Sequence, residues 1–280
     1  MTQLWAVQTR LLQEDATLHL VDAFQKLGLN WAAFPFPPFI GRVPDFDWDG
    51  PIVYYGSTGL VKRVADPGAL ARNPQAALFF NHLDHKPSCY ATRLGDAYLN
   101  HNGYACSISD FLDDADPSPR FIRPNSGLKV FAGGVFDPSG FKDFYSAAQA
   151  NGLQPATTIW VAEPQTIERE FRTWVVDSEV VAVVGYKIGS KILPWYEPED
   201  SPTLAYIKAF AAEQAKKLTH LGAYVLDICI TPDGLRVIEI NCIHSAGFYL
   251  TEHIIDVVRE LSNFVARNEK AAANPVTTRI

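Results

Sequence analysis

Late in the chain, three side chains with hard oxygen donors stand close together: Asp227 in the apolar run from Tyr224 to Thr231, and Glu239 and Asn241 in the run from Leu235. The runs are joined by Thr231-Pro232-Asp233-Gly234, with Pro where a type I turn takes a fixed negative φ and Gly where the next residue turns left-handed. This predicts a three-residue hairpin loop with a glycine bulge. Pairing Thr231 with Leu235 then sets Cys229 opposite Val237, Asp227 opposite Glu239 and Val225 opposite Asn241, because opposed residues share a sheet face. Leu226, Ile228, Ile230, Ile238 and Ile240 fall on the core face. Two carboxylates about 5 Å apart repel by about 3 kcal/mol at an effective dielectric of about 20. One acid is therefore protonated, or paired with a Lys or Arg, or the two share a divalent cation. Mg²⁺ suits carboxylate and amide oxygens and keeps waters and phosphate oxygens in its shell.

The elements that must position this hairpin fall into two styles. Up to about residue 95, strands alternate with helices. Leu4–Thr9 reads as a strand, a helix with Leu18, Val21, Phe24 and Leu27 at helical spacing closes at Gly28, and Ile52–Tyr55 and Ala77–Phe80 read as further strands. A small parallel α/β unit follows. Gly56-Ser57-Thr58-Gly59 either caps a helix or offers backbone N–H groups to an anion. His82 and His85 flank Asp84 in a polar loop without further ligands at zinc spacing. The acidic, Pro-rich stretch 113–119 marks a boundary.

Beyond it come strand pairs: Arg120–Pro124, a Gly-rich turn holding Lys129, Gly133 and Gly134, a helix ending at Gly152, a strand at Thr157–Val161, and an antiparallel pair, 168–176 with 180–186. Glu168, Glu170 and Arg172 share a face by the period of two. Helices at 203–221 and 252–266 flank the acidic hairpin. The composition contains 24 Lys+Arg and 31 Asp+Glu, a net charge of −7, which argues against a generic nucleic-acid surface. Cys89, Cys106, Cys229 and Cys242 show no Cys-x-x-Cys spacing and the N-terminus no signal core, so a cytoplasmic, reduced protein without a membrane span is expected.

The order of these parts resembles the ATP-grasp superfamily over nearly the whole chain. The resemblance rests on the parallel opening, Phe121-Ile-Arg-Pro with its Gly/Lys loop, the strand into Ala162-Glu163-Pro164, Glu170-Phe-Arg172, and Asp227 followed by Glu239-Ile-Asn241. It implies an α/β (α+β) architecture: an N-terminal parallel α/β domain over 1–115, then an ATP-grasp domain over 116–268. The latter divides into a lid at about 119–163 and a C-terminal antiparallel-sheet subdomain at about 164–268, with a loose tail at 269–280. It also implies ATP and Mg²⁺ (two ions, with Mn²⁺ an alternative) on Asp227, Glu239 and Asn241. Arg123 stands where the family usually has a phosphate-binding Lys and shares phosphate contacts with Lys129 and Lys187. Trp160, Val161, Ala162 and Glu163 correspond to the hinge that reads adenine through backbone groups, with Glu163 or Glu170 near the ribose. Arg172 reaches the γ-phosphate or the acyl phosphate, and His244 either acts as base toward an amine or hydrogen-bonds within its loop. Ser57, Thr58, Arg93 and Tyr249 are assigned to the acceptor surface. The activity implied is ligation of a carboxylate, of an amino acid or peptide, to an amine through an acyl phosphate; phosphotransfer on the same scaffold, or nucleotide binding alone, are the alternatives.

Overall fold

A computed structural model describes residues 2–9, 15–37, 42–114, 116–127, 130–150 and 152–273. The first unit contains β1 (Leu4–Gln8), α1 (Asp15–Lys26), β2 (Asn30–Phe34) and β3 (Ile52–Tyr55). The strands form a parallel sheet in the order β2-β1-β3. Every residue of β1 is buried, as a central parallel strand covered on both faces requires. Short helices α2 (Thr58–Val64), α3 (Pro67–Arg72) and α4 (Pro87–Leu94) follow. Ser57 caps α2, its Oγ accepting from the Leu60 N–H at 3.3 Å, so of the two readings of this turn the helix cap is the one realised. The expected strand at Ala77–Phe80 is not formed. It touches β3 through a single bridge, Ile52 with Ala76, and the Phe79 N–H then turns away to donate to the His244 ring.

The middle unit is an antiparallel sheet. It comprises β4 (Tyr104–Ser107), α5 (Ile108–Leu112), β5 (Arg120–Pro124), β6 (Gly134–Phe136), α6 (Pro138–Gln149) and β7 (Thr158–Ala162). The strand order is β4-β7-β5-β6, and Phe111, Phe141 and Tyr145 from the helices pack on Ile122, Ile159 and Val161. The sheet takes in β4 and α5, so the boundary expected at 115 runs through a continuous element pair. Gly133 brings the Gly-rich loop back against β5, where a Cβ would meet Arg123 Cβ at 3.0 Å and Phe121 Cζ at 3.1 Å.

The third unit holds β8 (Arg169–Val176), β9 (Glu179–Ile188), β10 (Lys191–Trp195), α7 (Pro202–Ala215), β11 (Ala223–Thr231), β12 (Gly234–Cys242) and α8 (Ile254–Ala273). Its antiparallel order is β10-β9-β8-β11-β12. The helix expected to reach 221 ends at Ala215, and a short 3-10 turn leads to Gly222 at φ +69°. The helix expected to end at 266 continues to Ala273, so the start of the expected loose tail is helical; residues 274–280 lie outside the described residues. One face of the sheet packs against α7 through Phe171, Val175, Leu226, Ile228, Ile207 and Ala211. The other joins α8 and the first unit in a single core containing Trp5, Val7, Trp174, Val225, Val258 and Leu261.

The hairpin β11-β12 keeps the predicted central pairs, Asp227 with Glu239 and Val225 with Asn241, but reaches them differently. Gly234 takes φ +112° and pairs with Thr231, so Cys229 faces Arg236 and Ile228 faces Val237. A bulge at Ile238 then restores the register between Ile228 and Asp227. It separates Val237, buried in the core with Ile228, from Glu239, and it turns Ile238 out of its expected core position toward the cavity beside Glu239. Without Ile238, Leu235, Val237 and Ile240 would alternate regularly with Arg236, Glu239 and Asn241. Deleting Ile238 is therefore expected to leave the protein folded, with its circular dichroism and urea midpoint near the parent's, and to weaken nucleotide binding. Loss of the fold would show that the bulge is needed for pairing.

Candidate active site

Asp227 is 1% exposed and lies between β8 and β12. Arg172, its neighbour on β8, grips it with Nε to Oδ1 at 2.9 Å and Nη2 to Oδ2 at 2.8 Å, a bidentate fork. Asn241 Nδ2 donates to Asp227 Oδ2 and to Glu239 Oε1, each at 2.9 Å, and Arg123 Nη2 donates to Glu239 Oε2 at 2.7 Å. The opposed acids are thus held by two arginines and one amide, and of the ways to relieve their repulsion the structure shows arginine pairing. Burial opposes the charge of Arg172, but Asp227 outweighs it and the guanidinium pKa is raised. Arg123 is shifted the same way, burial being outweighed by Glu239 with smaller help from Tyr98 and Tyr90.

Aromatic rings complete the frame. Tyr249 stacks on Tyr186 with centroids 4.6 Å apart and planes within 2°, and the Arg172 guanidinium lies 4.9 Å from the Tyr249 ring and 5.5 Å from the Tyr186 ring. Tyr186 is the bulged residue of β9, since Glu170 pairs with Lys187 while Phe171 pairs with Gly185. The bulge lets the Tyr186 hydroxyl and the Lys187 ammonium both donate to the buried Glu170 carboxylate. Burial, then Asp227 and Glu170, raise the Tyr186 pKa, so it remains a donor.

Two cavities meet at this cluster. The larger, about 470 Å³, lies between β5 with its Gly-rich loop and the third unit's sheet, and is lined by Arg123, Gly133, Glu170, Tyr186, Ile238 and Glu239 among others. Its volume is in the range of small-molecule and cofactor sites. The smaller, about 70 Å³, lies toward the first unit, against Thr58, Val61, Phe80, Tyr90, Arg172 and Asn241. Arg123 and Ser126 line both.

Other expected residues are placed less favourably. Trp160 and Val161 sit inside β7 with β4 on one side and β5 on the other, so their backbone groups face ladder partners on both flanks and are not presented to a base. Only Ala162 and Glu163, at the strand's end, reach a cavity, a separate one of about 210 Å³ beside the hairpin tip. Arg93 pairs with Asp84 at 3.8 Å and lines neither of the two main cavities. Thr58 lines the smaller cavity, while Tyr249 acts through Arg172. Lys129 lies outside the described residues. Tyr186, Tyr90 and Ile238 were missed; a tyrosine among the aliphatic residues of the 180–186 strand was the available signal for the first.

His244 is not a base. It is 1% exposed, its Nε2 accepts from the Phe79 N–H at 2.9 Å, and its Nδ1 therefore carries the proton and donates to Tyr54 O at 2.8 Å. The ring stacks on Phe79 and ties the loop after β12 to the parallel sheet. Burial pushes its pKa down from 6.5 to about 4. The unfolded imidazole takes up a proton as the pH falls below 6.5, and the folded one only near 4, so this stabilisation is complete above 6.5 and is lost on acidification through that window. It amounts to about 3 kcal/mol. Urea unfolding from pH 7 to 4 is expected to show a steeper decline for the parent than for His244→Gln; parallel curves would refute the assignment.

Fold and site together define an ATP-grasp protein. Residues 47–261 match a family model described as an ATP-grasp domain, the third family of its clade, and the chain belongs to that family. Among solved structures it is similar to D-cycloserine synthetase DcsG, at 13% identity and TM-score 0.65 over 95% of this chain and 100% of that one. It is also similar to a D-alanine–D-alanine ligase from Bacillus anthracis, at 9% identity and TM-score 0.62 over 97% of this chain and 100% of that one. A RimK domain ATP-grasp protein from Sphaerobacter thermophilus aligns at 14% identity and TM-score 0.59 over 95% of this chain and 100% of that one. At these identities the likeness is one of fold. Comparison with curated proteins gave no match. Among the described residues no helix is long and apolar enough to cross a membrane.

Proposed function

We propose that the protein is an ATP- and Mg²⁺-dependent ligase joining a small-molecule or peptide carboxylate to an amine. The observation that carries this reading is the Arg123–Glu239 pair at the junction of a nucleotide-sized cavity and a small cavity whose charged lining, among the described residues, is Arg123 and Arg172. A triphosphate in the larger cavity and a carboxylate in the smaller would meet at Arg123. The carboxylate oxygen attacks the γ-phosphorus, the bond to the β–γ bridging oxygen breaks, and ADP leaves. The amine nitrogen then attacks the acyl carbon and phosphate leaves. Arg123 and Arg172 balance the negative charge that gathers at the transferring phosphoryl group, and the Asp227 fork and tyrosine stack hold Arg172 in place beforehand.

The donor set fits a hard divalent cation: two carboxylates and an amide, with no His, Cys, Asp or Glu completing a group of three among the described residues. Glu239, whose side chain is 21% exposed and faces the larger cavity, offers the accessible oxygens; Asn241 orients both acids, and Asp227 is committed to Arg172. When bound, Mg²⁺ supplies Lewis-acid charge to the phosphate oxygens. Lys187 and Glu170 form the wall on the far side of the nucleotide cleft. The ligase names carried by the similar structures agree with this class of reaction.

The test is ADP and phosphate release that requires both an acid and an amine, with hydroxylamine trapping the activated acid as a hydroxamate. A stable phosphorylated product formed without an amine would identify a phosphotransferase instead.

A further inference from the structure

The smaller cavity restricts what it can hold, in size and in charge. At about 70 Å³ it has room for roughly five to seven water-sized groups, at about 10–15 Å³ each. Val61 and Tyr90, both 1% exposed, and half-buried Phe80 form its apolar wall. Arg123 and Arg172 line it, and among the described residues no carboxylate does. Main-chain carbonyls around it already accept from the protein: Ile240 O from the Tyr90 hydroxyl at 2.9 Å, Ala246 O from the Tyr55 hydroxyl at 2.8 Å, and Gly247 O from Arg172 Nη1 at 3.2 Å. A carboxylate finds two guanidinium groups here. An ammonium group would lie against the same two cations with no anionic partner, and an unpaired charge in such a site is strongly disfavoured.

We propose that the acid activated in this site is a short monocarboxylate with no free ammonium group, of about two to four carbons by the space available. The inference rests on the ligase reading and narrows its substrate: plain and hydroxy acids fit, whereas free amino acids of the same size and longer acids do not. The carboxylate oxygen takes the γ-phosphoryl group and ADP departs. Hydroxylamine then attacks the acyl carbon, releasing phosphate and leaving a hydroxamate.

The test incubates the full chain with ATP, Mg²⁺ and hydroxylamine and compares acetate, propanoate and lactate with glycine, alanine and hexanoate. Hydroxamate from propanoate or lactate is expected to exceed that from alanine and hexanoate by about tenfold or more. Alanine or glycine matching propanoate would overturn the charge argument, and hexanoate matching it would overturn the size argument; either result leaves the ligase reading intact. Hydroxamate from no acid, with ATP consumed, would remove the ligase reading and this inference with it. Two variants that retain parental circular dichroism sharpen the result. Phe80→Ala is expected to admit hexanoate, and Ser245→Asp, by supplying an anion at the cavity wall, to raise the alanine signal relative to propanoate. If neither shift occurs in folded protein, the cavity is not the acid's site.

Discussion

Arg172→Met is expected to destabilise the protein by about 3–5 kcal/mol and to abolish turnover, because it removes one partner of a buried ion pair. The side chains of Arg172 and Asp227 are 11% and 2% exposed, and the guanidinium supplies two of the hydrogen bonds that hold the acid. Without it the carboxylate remains buried beside Asn241 and is driven toward its protonated form. A carboxyl whose folded pKa is raised costs stability above its unfolded pKa, so the deficit grows with pH and is expected to be larger at pH 8 than at pH 5. The double variant Arg172→Met/Asp227→Leu removes both charges and fills the space with apolar groups, a replacement that is often neutral or stabilising. Urea unfolding of the four proteins of this cycle should return most of the lost stability in the double variant, and ligation should remain absent because no guanidinium from β8 faces the smaller cavity. A single variant within about 1 kcal/mol of the parent would mean that the pair is hydrated and contributes little.

Legibility of the site in the sequence follows the regularity of the strands. Where β11 and β12 run without interruption, the period of two brings Asp227 opposite Glu239 and Val225 opposite Asn241, and these pairs were readable from spacing. Where a bulge inserts a residue, alternation points the wrong way. Ile238 was expected in the core and Val237 among the acids, and the structure exchanges them. Tyr186, the bulged residue of β9, lines the same cavity as Ile238, so the two irregularities open onto one cleft. The role of His244 depended on a partner far along the chain: the Phe79 N–H turned toward the ring instead of continuing a strand. Trp160 and Val161 were expected to present backbone groups because β4 carries too short an apolar signal in Tyr104–Ser107 to be read as the strand that flanks them. The order of the parts was legible because it rests on turns, glycines and apolar runs. Side-chain partners drawn from distant elements were not, because no local period encodes them.

Glu239→Gln is expected to separate nucleotide binding from its dependence on the metal. In the parent, Glu239 faces the larger cavity with one oxygen paired to Arg123 and the other to Asn241. Replacing it with the isosteric amide removes one negative charge from the cleft and leaves the Arg123 charge available to a phosphate. The affinity for ATP without divalent ions is therefore expected to stay the same or rise, since repulsion between the carboxylate and the triphosphate is gone. The gain in affinity on adding Mg²⁺ should shrink, by about 100-fold in the metal's apparent affinity, because the accessible hard-oxygen ligand has become a neutral amide. Calorimetric titration of parent and variant with ATP, with and without Mg²⁺, reads both effects independently of catalysis. Arg123→Met is expected to move the first quantity in the opposite sense, weakening ATP binding without metal while keeping a positive response to Mg²⁺. If Glu239→Gln responds to Mg²⁺ as the parent does, Glu239 serves only to anchor Arg123, and the cation must be held by other groups.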